Sequence, residues 1–99
     1  MIFKKRIDTL RKMMKEKCLY GLYITSPENV FYLSGFTGFG DGRLFLSHSG
    51  AYIITDSRYT LQVAEQCPDY KLISASCLNI FAIEKVIEEE QISVIGFED

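Results

Sequence analysis

Two short stretches hold residues placed to do chemistry by type and spacing. Asp56-Ser57-Arg58-Tyr59 sets a guanidinium two positions after a carboxylate and beside a phenol, while Asp41 and Arg43 flank Gly42 at the end of a glycine-rich stretch that also carries Phe39. An arginine fork grips a carboxylate through two parallel N–H bonds, so Arg58 has two uses open to it. It either pairs locally with Asp56 while Tyr59 wedges into the core, or it faces a ligand together with Tyr59. Bond-breaking chemistry is harder to assemble. His48 is the single histidine, so neither a Ser-His-Asp nor a Cys-His set can be built with support from a second one. Asp41 and Asp56 are the only carboxylates near expected sheet-edge loops, and two carboxylates alone give weak support for a metal or acid/base site. Cys18, Cys67 and Cys77 are odd in number and lack C-x-x-C spacing, which argues against a disulfide framework or a zinc site and for reduced thiols of a cytoplasmic protein.

The elements that must hold these residues follow from periodicity. Tyr52, Ile53, Ile54 and Thr55 are aromatic or β-branched with almost no alternation, the pattern of a strand covered on both faces and set inside a sheet. Asp56 or Ser57 then accepts a backbone N–H of the next helical turn, which fixes Arg58 and Tyr59 at the strand-to-helix junction, an edge where ligands of α/β sheets tend to bind. Upstream, Phe3, Ile7, Leu10 and Met14 form one apolar stripe on a helix over residues 3 to 17, lying on the sheet. Leu19 to Thr25 reads as a buried strand. Ser26 caps a short helix from Pro27 to Leu33, with proline at the position where a missing N–H costs nothing.

Residues 35 to 42 hold four glycines and two phenylalanines. Gly38-x-Gly40-x-Gly42 is a poor dinucleotide fingerprint, because here a helix precedes and a strand follows. This stretch is expected to form a mobile flap with Phe36 as a core plug and Phe39 and Asp41 at the tip. Leu44 to Leu46 pairs through the turn Ser47-His48-Ser49-Gly50 with the Tyr52 strand as an antiparallel hairpin, leaving His48 an exposed turn residue. Pro68 stops the helix after Tyr59, Tyr70 to Ala75 supplies a parallel strand, Cys77 to Glu90 a helix capped by Asn79, and Ile92 to Phe97 a last strand after which more chain is expected. The sum is a three-layer α/β domain with a mixed sheet of about five strands flanked by helices, spanning residues 1 to 99.

Composition agrees with a single globule. Hydrophobic residues at 47% and charged ones at 24% are far from disordered or fibrous proportions. Apolar runs are only a few residues long, which excludes a membrane span, and the first basic residues are followed by charge where an export signal would be apolar. Seven of the eleven lysines and arginines lie in the first 17 residues. They surround the helix with no aromatic binding element beside them, so a solvated face is expected, with no nucleic-acid partner.

The order of the motifs carries more than any one of them. Thr25-Ser26-Pro27-Glu28-Asn29-Val30-Phe31-Tyr32-Leu33-Ser34-Gly35-Phe36-Thr37-Gly38, a hairpin, Thr55-Asp56-Ser57-Arg58-Tyr59 and Ile95-Gly96-Phe97-Glu98 together resemble the N-terminal domain of the creatinase/prolidase/aminopeptidase P family, end to end. One departure is Cys18, where the first helix of relatives usually ends at glycine. The resemblance implies a parent Xaa-Pro metallopeptidase whose two divalent metal ions and catalytic fold lie in a C-terminal domain outside this chain. It implies for this domain homodimer formation and a narrowed entrance for short proline-containing peptides, with no catalytic residue of its own. Arg58, Tyr59, Phe39, Asp41 and Arg43 are then candidates for the substrate entrance or the interface. A non-catalytic binding module reusing the domain, or a creatinase-like hydrolase, stays open as an alternative.

Overall fold

The computed structural model describes residues 2–38, 40–75 and 80–98. The elements run α1 (Ile2–Glu16), β1 (Gly21–Ile24), α2 (Pro27–Ser34), β2 (Gly42–Ser47), β3 (Ala51–Thr55), a 3-10 turn (Ser57–Tyr59), α3 (Thr60–Gln66), β4 (Lys71–Ser74), a second 3-10 turn (Ile80–Ile83), α4 (Glu84–Glu90) and β5 (Ile95–Phe97). The five strands lie in the order β4-β3-β2-β1-β5. β2 is antiparallel to both neighbours, whereas β4 joins β3 and β5 joins β1 in parallel. β3 is an inner strand, as its unbroken apolar run requires, but the middle of the sheet is β2, whose Leu44, Phe45 and Leu46 are fully buried.

Strand alternation divides these side chains between two cores. Ile24, Leu44, Leu46 and Ile53 meet Ile7 and Met14 of α1, Val30 and Leu33 of α2, and Val63 of α3 on one face. Tyr23, Phe45 and Ile54 meet Ile83 and Val86 on the other. Gly21 is needed in β1, because a Cβ there would come 2.6 Å from the Phe45 ring. The described helices include none long and apolar enough to cross a membrane.

Three local expectations change. β5 begins at Ile95, because Val94 turns its carbonyl to the N–H groups of Tyr20 and Gly21 ahead of the ladder. The helix expected over Cys77 to Glu90 is a 3-10 turn followed by α4, and Cys77 and Asn79 lie outside the described residues. His48 is half-buried and not simply exposed: its Nε2 lies 2.8 Å from the Leu19 carbonyl, and its ring packs on Tyr20. The hairpin turn folds back over the end of α1, where Arg11 donates to the Ser47 and Gly50 carbonyls.

α1 ends in a Schellman arrangement, with Cys18 N–H on the Lys15 carbonyl, Leu19 N–H on the Met14 carbonyl, and Cys18 left-handed at φ 57°. A β-carbon is strained there and glycine is not. Cys18→Gly is expected to raise stability by about 0.5–1 kcal/mol in urea unfolding, with an unchanged m-value.

Candidate functional site

The cluster sits where β2 begins and β3 ends. Pairing of Gly42 with Thr55 brings the loop before β2 alongside the turn after β3, and Thr55 Oγ1 donates to the Asp41 carbonyl at 2.5 Å. Asp56 caps the 3-10 turn by accepting the Arg58 backbone N–H at 2.9 Å. The same carboxylate takes Arg58 Nε at 2.9 Å and Nη2 at 2.7 Å, so the local pair is present in its bidentate form. Tyr59 Oη donates to Asp41 Oδ2 at 2.6 Å, and Arg58 Nη2 lies 4.0 Å from that oxygen.

Protonation follows the bonding. The Arg58 guanidinium holds the Asp56 carboxyl below its ordinary range, and Asp56 raises Arg58 in return. The bond to Asp41, helped by desolvation, raises the Tyr59 phenol. Arg58 is therefore a permanent cation, fixed on one side by Asp56 and presenting its remaining N–H groups outward from a side chain that is 72% exposed. Such a fork can hold a carboxylate or a carbonyl. Among the described residues no group of three or more His, Cys, Asp and Glu assembles to hold a metal.

Asp41, Arg58 and Tyr59 come together, while Arg43 departs. Arg43 shares the α4 face of the sheet with Phe45 and turns Nη1 to the Gly40 and Gly42 carbonyls. Phe39 lies outside the described residues. Phe36 is the core plug, 3% exposed, with its ring edge-on to Tyr59 at 5.4 Å. A Cβ on Gly38 would stand 2.4 Å from that ring and one on Gly42 2.7 Å, so these two glycines let the backbone wrap the phenylalanine. Among the described residues of the loop, Gly35 and Gly40 have positive φ, at 80° and 84°.

Sequence reasoning missed three polar groups. Gln62 and Gln66, four apart on α3, both donate to Thr37 Oγ1 at 2.9 Å; their spacing gives one helix face, but the partner is fixed only by the fold. Glu90 accepts from Ser47, Ser49 and Tyr52, whose phenol is pushed up to about 12 chiefly by that bond. Glu98 accepts the N–H groups of Thr25 at 2.7 Å and Ser26 at 2.5 Å, and the Asn29 amide. A separate apolar cavity of about 550 Å³ between α1 and α2, walled by Leu10, Met13, Leu22 and Leu33, shares no residue with the cluster.

Comparison with known proteins places this geometry. The chain is 33% identical over 93 residues to the uncharacterized peptidase YqhT of Bacillus subtilis (strain 168), matching 94% of this chain and spanning about a quarter (26%) of that relative. An Xaa-Pro aminopeptidase from Streptococcus pyogenes superposes with a TM-score of 0.90 at 30% identity, covering 99% of this chain and 74% of that one. An Xaa-Pro dipeptidase from Bacillus anthracis does so with a TM-score of 0.86 at 30% identity, covering 97% of this chain and 27% of that one. The sequence profile of the Creatinase/Prolidase N-terminal domain matches residues 6–99, which takes in every element from the body of α1 to β5, and the chain belongs to that family.

Proposed function

We propose that the chain is the non-catalytic N-terminal domain of a cytoplasmic Xaa-Pro metallopeptidase, a dipeptidase or an aminopeptidase. It contributes to homodimerisation and narrows the entrance so that short proline-containing peptides enter. The observation that carries this reading is the superposition of nearly the whole chain on two solved Xaa-Pro peptidases at 30% identity. Two divalent metal ions belong in this reading to a catalytic domain outside these 99 residues, where they would activate water for attack on the peptide bond. The contribution of this chain is positional. Arg58, steadied by Asp56, meets a carboxylate or carbonyl of substrate or partner subunit, with Tyr59 and Asp41 beside it; Arg43 stiffens the loop through its carbonyls, and Phe39 joins the group by its place in the sequence.

Two assays test this. The isolated chain, supplied with Mn²⁺, Co²⁺ or Zn²⁺, is expected to leave Xaa-Pro dipeptides and longer Xaa-Pro peptides intact; metal-dependent turnover by the pure chain overturns the reading. In the longer protein, Arg58→Lys is expected to lower kcat/KM about tenfold, about 1.4 kcal/mol of transition-state binding, with melting temperature nearly unchanged, because lysine keeps the charge and loses the fork. A large fall in melting temperature with normal kinetics assigns Arg58 to structure alone.

A further inference from the structure

The loop between α2 and β2 is fastened to the segment after β3 at two separate places. On one side Thr37 N–H donates to Gln66 Oε1 at 3.0 Å, and Thr37 Oγ1 receives the side-chain amides of Gln62 and Gln66. On the other side Tyr59 Oη holds the Asp41 carboxylate, and Asp41 N–H closes back on the Gly38 carbonyl at 2.8 Å. Both latches are polar, the Thr37 one exposed and the Tyr59–Asp41 one part-buried, so water can reach each and replace its partner at small net cost. The anchor between them is of a different kind, because Phe36 is buried and touches the loop through glycine backbone at Gly38 and Gly42.

Both ends of the loop are fixed points. Gly35 is left-handed at φ 80°, and the Asp41 carbonyl is pinned by the fully buried Thr55. Gly40 is left-handed too, with nothing within 4 Å of the position a Cβ would take, so the loop has room on its outer side. Gly38 rests on the Phe36 ring with no side chain of its own to drag out of the core.

We infer that the loop is a strap latched at Thr37 and at Asp41, that the two latches open together while Phe36 stays seated, and that Tyr59 is the positioning residue that sets where the Asp41 carboxylate points. The Asp41 to Gly38 backbone bond joins the two ends, so releasing either one loosens the other. This holds whether or not the domain serves a peptidase, and its test uses the 99-residue chain without any substrate.

Amide hydrogen exchange followed by NMR reads the coupling. Tyr59→Phe is expected to speed exchange at the Asp41 amide and also at the Thr37 amide, by about tenfold or more, although the Thr37 acceptor on Gln66 is untouched. Gln66→Ala is expected to speed the Asp41 amide in the same way, and Asp41→Ala to reproduce the Tyr59→Phe effect at Thr37. Amides of the β2–β3 ladder keep their wild-type rates in all three. Acceleration confined to the substituted latch overturns the strap and leaves two independent surface bonds. Equal acceleration of the ladder amides overturns it as well, since the loop would then open only with the sheet.

Discussion

Phe36→Ala is expected to cost the isolated chain about 3–5 kcal/mol, the range for removing a buried phenylalanine when its surroundings cannot fully collapse. A domain of this size has total stability of roughly 5–10 kcal/mol, so the variant should lose between about a third and all of it. Collapse is limited because the ring is held from several sides, with Tyr59 edge-on to it and the Gly38 and Gly42 backbone laid against it. The same geometry predicts coupling. Gly38→Ala forces a β-carbon into the Phe36 ring in wild type, whereas in a Phe36→Ala background that methyl group enters vacated space. The double variant is therefore expected to be more stable than the sum of the two single losses allows, by about 1 kcal/mol or more. Urea unfolding of the four proteins measures it, and strict additivity would mean that the ring does not set the path of the loop.

The second large effect lies at Glu98. Partial burial pushes its carboxyl up, yet donation from Ser26 N–H, the Asn29 amide and Thr25 N–H outweighs this and leaves it below the ordinary glutamate range. A depressed folded-state value means that the stabilisation is fully present above the unfolded-chain value and fades as pH falls through the folded one. Glu98→Ala leaves two backbone donors at the start of α2 without their acceptor, and the expected loss at pH 7 is about 1.5–3 kcal/mol. Glu98→Gln keeps an acceptor but no charge, and should lose part of this and flatten the acid limb. Unfolding curves at pH 7 and at about pH 3.5 decide: the gap between wild type and Glu98→Gln should shrink at the lower pH, and an undiminished gap would show that the carboxylate charge is not what the donors recognise.

What the sequence made legible and what it hid separate by range. The Asp56 cap, the Ser26 cap of α2, the hairpin and the plug at Phe36 are local consequences of residue type, and each stands where its neighbours in the chain put it. Among the proposed site residues the bidentate Asp56–Arg58 pair was readable for the same reason. The bond from Tyr59 to Asp41 was not, because it depends on the register of β2 against β3. Glu98, in the sequence only the last residue of the Ile95-Gly96-Phe97-Glu98 motif, accepts the N–H groups of Thr25 and Ser26 ahead of α2, donors some seventy residues upstream that only the fold brings to it. Gly38 and Gly42 suggested backbone freedom in the sequence; in the fold they mark close approach to an aromatic ring, which only the packed loop reveals.

The parallel ladder between β1 and β5 bears on the order in which the domain is assembled. Every other strand pair joins neighbours in the chain, whereas Leu22 waits for Gly96 and Thr25 for Glu98, 73 positions away. Closing so long a loop is paid for in chain entropy before the contact returns anything, so this ladder belongs to the slow, late part of folding. On a ribosome, α1 through β4 can emerge with the four-stranded sheet and the seated Phe36 already formed, while the outer edge of β1 is still bare. Until residues 95 to 98 appear, that edge is the surface through which two nascent chains would stick to one another. The arrival of β5 covers it, and the Glu98 carboxylate then fastens the strand to the start of α2.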